Sequence, residues 1–170
     1  MVLTLVIALA PRAESSDSAI AAAAGRPLRV ERRSDGKPES ADAGVSAASV
    51  DGYTLAVAGT GTVACDVEEA RERGEPAWRD LLGGDRLALA GRLAAELGEQ
   101  LDLSAARVWA AAECARKAGR PAREPIALGR TYGDGWTLLR AGRAAVATYA
   151  ARLDGVESPL AFAFLVGEKR

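Results

Sequence analysis

The chain opens on an apolar run, Met1-Val2-Leu3-Thr4-Leu5-Val6-Ile7-Ala8-Leu9-Ala10. It is too short to span a bilayer, and it lacks the basic residues that precede the apolar stretch of a secretory leader. The cluster of Val2, Leu5, Val6 and Ile7 predicts a buried strand. Ser15, Ser16, Asp17 and Ser18 ahead of Ala21 to Ala24 predict a short helix opened by a serine or aspartate cap. Residues 27–33 predict a second strand, and Ser34-Asp35-Gly36-Lys37-Pro38 a turn leading into a loop to about residue 48. Residues 53–58 and 63–67 predict a hairpin around Gly59-Thr60-Gly61.

The middle of the chain changes period. Pro76 suits a helix start, and Gly83-Gly84 marks its end. Asp85 caps a longer helix in which Leu89, Leu93 and Leu97 recur at helical spacing. Ser104 is the expected cap of a third helix, which reaches Lys117 and is closed by Gly119 and Pro121. Residues 126–132, 136–139, 144–151 and 160–166 then read as strands. Strands, helices and strands again give an α+β class rather than a βαβ alternation. With 170 residues and no long linker or internal repeat, the chain is expected to be a single domain over residues 1–170.

Composition narrows the chemistry more than the fold. Lysine and arginine number 22 against 23 acids, a formal charge of -1, so no bulk basic field is available for nucleic acid or an anionic membrane. The chain has 0 histidines, which excludes Ser-His-Asp and Cys-His catalysis and HExxH zinc chemistry. Cys65 and Cys114 are far apart and form no CxxC pair, so a reduced, cytoplasmic setting is expected. Catalysis is left to carboxylates, Lys, Arg, hydroxyls or a carboxylate-bound hard cation.

Two segments carry such groups. In Val63-Ala64-Cys65-Asp66-Val67-Glu68, alternation along a strand puts Asp66 and Glu68 on one face while Val67 turns to the core. Paired carboxylates repel unless a cation neutralises them, and hard oxygen ligands suit Mg²⁺. The plain alternative is a solvated strand end. In Trp109-Ala-Ala-Ala-Glu113-Cys-Ala-Arg-Lys117-Ala118-Gly119, Trp109, Glu113 and Lys117 stack at i, i+4 and i+8 along one side of a helix. Here the plain alternative is an amphipathic helix with a surface Glu–Lys pair.

Taken in order, the two segments resemble the 4′-phosphopantetheinyl transferases, whose G-[IV]-D-[IV]-E strand is followed by W-[ST]-x-K-E-[AS]-x-x-K-A. Gly36-Lys37-Pro38 resembles the G-[RK]-P turn of the larger, surfactin-synthetase-activating type. Ala48-Ser49-Val50 falls where the family has S-H-S, with Ser49 in the histidine's place. The motifs span about residues 26–119, and the short, alanine-rich style looks most like the C-terminal transferase domain of enediyne-type iterative polyketide synthases. Ala112 stands where the family's helix has a lysine, and Ala64-Cys65 where Gly-Ile or Gly-Val is usual.

The resemblance implies a half-unit fold, an antiparallel sheet packed on a cluster of about three helices. It implies transfer of the phosphopantetheine arm of coenzyme A to a serine of an apo acyl carrier protein, serving polyketide biosynthesis. By position, Asp66, Glu68 and Glu113 become Mg²⁺ ligands and Glu113 the base. Lys117 contacts phosphates, and Lys37 and Ser49 contact coenzyme A, with Arg32 and Arg33 as unassigned helpers. A second copy, as a trimer or a dimer, or a neighbouring synthase domain completes the site. Two alternatives stand beside this. One is a degenerate transferase-like domain used for docking or assembly within a synthase, which the changes at Ala112 and Ser49 favour. The other is an unrelated small α+β binding protein.

Overall fold

The computed structural model describes residues 5–11 and 15–168; Val2 of the predicted first strand lies outside them. The elements follow as β1 (Leu5–Pro11), α1 (Ser16–Ala24), β2 (Glu31–Arg32), β3 (Pro38–Glu39), β4 (Gly44–Val50), β5 (Tyr53–Gly59) and β6 (Cys65–Glu69). Then come α2 (Gly74–Leu97), α3 (Leu101–Lys117), β7 (Ile126–Thr131), β8 (Thr137–Ala141), β9 (Ala144–Ala151) and β10 (Leu160–Glu168). The strands form a five-stranded sheet ordered β6-β10-β9-β8-β7, a three-stranded sheet ordered β1-β5-β4, and a β2-β3 ribbon. Every pairing is antiparallel. The class is α+β, as the element pattern predicts.

Alternation on β6 and β10 builds two cores from one pair of strands. Ala161, Ala163 and Leu165, with Ala64 just before β6, face α2 and α3 and meet Leu89, Leu93, Val108 and Ala111. Cys65, Val67, Phe162 and Phe164 point the other way, onto Leu55 and Val57 of the three-stranded sheet. A third cluster holds α1 on the far side of that sheet, where Ala19, Ile20 and Ala23 meet Ala56 and Ala58. Alanines recur in the first and third clusters and bring backbones close, whereas the second is filled by Leu, Val, Phe162 and Phe164.

Several expectations are corrected. β5 and β6 do not form a hairpin: β5 pairs with β4 and β1, and β6 pairs with β10. Both strands bury apolar faces, and these meet across the layers rather than edge to edge. The hairpin is β4–β5, closed at Asp51-Gly52 with Gly52 at φ 78, so the end of the stretch expected as loop, from Gly44 on, belongs to a seven-residue strand. The strand expected over 27–33 is reduced to the two residues of β2. β1 is a strand but an edge one, with Val6, Ile7 and Leu9 exposed rather than buried. One expectation among these holds: Gly83, at φ 74 and ψ 171, breaks the helical path where the sequence predicts the stop, so α2 is two helices meeting at a kink. Ser104 is not a cap; α3 starts earlier, and the Ser104 hydroxyl donates to Glu99 Oε1 at 2.6 Å from inside the helix. Among the described residues, no helix is long and apolar enough to cross a membrane.

Candidate functional site

β6 leaves the core with Asp66 and Glu68 on the face that its neighbour Ala64 presents to the helices, while Val67 is buried between the sheets. α3 crosses that face. Trp109 packs at the margin of the helix core, and Glu113 and Lys117 follow on successive turns, both half-buried.

Lys117 joins the two segments. Its ammonium donates to Asp66 Oδ1 at 2.8 Å, to the Cys65 carbonyl at 3.1 Å and to the Ala47 carbonyl of β4 at 3.2 Å. An ammonium has three N–H donors, and these acceptors use all of them. The other two acids have cations of their own. Glu68 accepts from Arg73 at 2.9 Å, and Glu113 from Arg116 through bonds of 2.6, 3.0 and 3.2 Å. The expected Glu113–Lys117 surface pair is therefore replaced by Glu113–Arg116 and Lys117–Asp66. Arg73 is fixed in turn: its guanidinium lies 5.2 Å from the Trp78 ring centre, and Asp102 accepts from both the Arg73 amide and the Trp78 indole.

Burial makes both strand acids reluctant anions. It pushes the Asp66 carboxyl above its ordinary range, the Lys117 charge pulls it back, and the negative charge of Glu113 pushes it up again. Burial likewise raises Glu68, against Arg73 and together with Asp66. Glu113 thus acts electrostatically on Asp66, and Asp66 on Glu68. On the opposite side, bonding to Glu113 raises Arg116, and burial lowers Arg86, which also feels Glu113. The donor set is all carboxylate oxygen, which fits a hard dication such as Mg²⁺ by ligand type. As the side chains stand, each acid is turned to its own cation, and no group of three His, Cys, Asp or Glu side chains among the described residues forms a ready metal cluster.

Beside this cluster opens a cleft of about 800 Å³, lined among others by Arg33, Lys37, Gly44, Gly61, Arg116 and Lys117. Lys37 comes from the turn between β2 and β3, where Asp35 accepts its backbone amide. That bond, first of all, lowers the exposed Asp35 carboxyl. The Asp35 charge also acts on Arg116, and Lys37 lines the same cleft as Arg116. At the cleft wall a Cβ on Gly44 would lie 2.0 Å from the Gly61 carbonyl, so only glycine lets β4 approach that loop. Ser49 is elsewhere: it lines a smaller depression with Glu68 and Arg73, and its hydroxyl is 3.3 Å from that of Thr54. Arg32 is turned away to Asp17 and Ser16 at the start of α1. The cations Arg73 and Arg116 escaped the sequence reading. The i, i+3 spacing from Glu113 to Arg116 was the one available signal.

No family model matches the chain, and no curated protein is significantly similar to it.

Proposed function

We propose that the chain is a Mg²⁺-dependent 4′-phosphopantetheinyl transferase with a half-unit fold of that type. It moves the phosphopantetheine arm of coenzyme A onto a serine of an acyl carrier protein, in cytoplasmic polyketide biosynthesis. The observation that carries this reading is the Lys117–Asp66 ion pair. It joins the two acid-bearing segments beside a cleft that Lys37 also lines.

Asp66, Glu68 and Glu113 hold the metal, which when bound neutralises charge on the phosphate oxygens. Lys37 and Arg33 line the groove for the nucleotide end of coenzyme A, and Lys117 lies at the boundary between groove and acids. Glu113 accepts the proton of the attacking serine hydroxyl, directly or through a water. Ser49, beside Glu68, donates an uncharged hydrogen bond at the acid end of the site. No covalent enzyme intermediate is required, in keeping with the protonated, buried state of Cys65. A second copy, trimeric or dimeric, or a neighbouring synthase domain closes the open side of the cleft over the long substrate.

The closed ion pairs at all three acids favour a second reading, a catalytically silent transferase-like element that docks or assembles a synthase. One experiment separates the two. The chain is mixed with apo carrier protein, coenzyme A and Mg²⁺, and the intact carrier is weighed by mass spectrometry. Gain of one phosphopantetheine supports the transferase. No gain, where a known transferase succeeds with the same carrier, refutes it, and absence of coenzyme A binding as well leaves the docking element.

A further inference from the structure

We propose that Arg116 is the diphosphate-binding cation of the cleft, a role that Lys117 cannot fill while its ammonium is bound to three protein oxygens. The proposal rests on the transferase reading for its natural ligand, coenzyme A, but not for its geometry. Lys117 spends its donors on Asp66 and the carbonyls of Ala47 and Cys65. Arg116 is built differently. Its Nε and Nη2 engage Glu113, and a guanidinium has five donors in a planar fork, so Nη1 is left for a further partner. Its side chain is 44% exposed and lines the cleft together with Lys37 and Arg33.

Two further facts place the charge where a diphosphate needs it. Helical side chains lean toward the helix N-terminus, and the Arg116 head reaches back to Glu113 on the preceding turn. The charge of Asp35, on the turn that carries Lys37, acts on Arg116. Arg116 and Lys37 both line the cleft. A linear dianion or trianion spanning them meets a forked donor at one end and a point charge at the other, the arrangement suited to bidentate phosphate recognition.

The test uses inorganic pyrophosphate as probe, the full chain, and titration calorimetry at low salt. Arg116→Gln is expected to weaken pyrophosphate binding by about tenfold or more, since a hydrogen bond to a charged group carries that much. Arg116→Lys keeps the charge without the fork and is expected to recover part of the loss. Arg130→Gln, on β7 with its guanidinium against Tyr132, is the control for bulk charge and is expected to bind like wild type. Unchanged binding in Arg116→Gln overturns the proposal. So does equal weakening in Arg130→Gln, or no binding by the wild-type chain. In the carrier-loading assay, Arg116→Gln is expected to raise the KM for coenzyme A more than it lowers kcat; an unchanged KM overturns the proposal while leaving the transferase reading intact. Arg116-dependent pyrophosphate binding without carrier loading sustains the proposal and removes the reading.

Discussion

Lys117→Met tests the junction at its centre. The substitution keeps the apolar stem and deletes all three bonds that tie α3 to β6 and β4. The Lys117 and Asp66 side chains are only 17% and 12% exposed, so solvent screens the pair little. Removing one partner of a buried pair typically costs 3–5 kcal/mol, and the residual exposure argues for the low end, about 3 kcal/mol. For a domain of this size that corresponds to a fall in Tm of roughly 6–12 °C.

The pH dependence identifies the mechanism. Asp66 already has a raised folded pKa because of burial, and Lys117 opposes the rise. Deleting the lysine raises it further. A group raised in the folded state contributes stability that is complete below its unfolded value, 3.8, and is lost as pH climbs through the folded value. The gap between wild type and variant is therefore narrow near pH 4 and widens toward neutrality. Adding Asp66→Asn to Lys117→Met removes the stranded carboxylate and should recover about 1–2 kcal/mol. Urea denaturation in EDTA at pH 4.5 and 7 measures all of this. A gap that is the same at both pH values, or a double variant less stable than the single one, refutes the argument.

Other consequences are simpler to measure. Asp66→Ala and Glu113→Ala should each abolish carrier loading, with the far-UV circular dichroism retained, because neither side chain belongs to an apolar cluster; residual loading in either speaks against its role. Burial pushes the Cys65 thiol up to about 12 and raises Cys114 as well, so both should resist alkylation at pH 8 until the chain unfolds. The same shifts make the fold lose about 1.4 kcal/mol per pH unit per thiol once pH exceeds 9.0, where the unfolded thiols ionise first. Gly83→Ala, at φ 74 and ψ 171, should destabilise by about 1–3 kcal/mol. Gly84→Ala, with open space at its Cβ, should stabilise by about 0.5–1 kcal/mol, and thermal melts of the pair show whether the break in α2 is fixed by that single residue.

Much of the fold was legible because its signals are local. Leu89 and Leu93 repeat at helical spacing and are buried where that spacing predicts; the last four strands fall close to their expected limits. What failed depends on pairing between distant segments. β4 carries little strand signal because its Ala and Ser residues have weak strand character, and the glycines at 59 and 61 are more conspicuous than its true turn. The Asp51-Gly52 turn was the better signal. At the site, Asp66 and Glu68 sharing a face followed from the pleat, and Glu113 and Lys117 sharing a side from the helix turn. Which cation each acid selects did not follow. That choice rests on how far α3 sits above β6 and on the aromatic support Trp78 gives Arg73.

The charge pattern has a further logic. Burying Asp66 and Glu68 works against ionising them, so the fold carries two acids that a purely structural strand end would replace with neutral residues. Each is tolerated because a cation is held against it, and Glu113 completes the set with Arg116. Acids and cations balance one to one, which keeps the site stable by itself. A hard dication together with a diphosphate presents the complementary pair of surfaces. Glu113 can turn to the one and Arg116 and Lys37 to the other, so neither member of the Glu113–Arg116 pair is left alone. A dication alone takes Glu113 from Arg116, and a diphosphate alone adds negative charge beside Glu113. The two ligands are therefore expected to bind with positive coupling: pyrophosphate affinity should rise with Mg²⁺ beyond what complexation in solution explains, and the excess should vanish in Glu113→Gln.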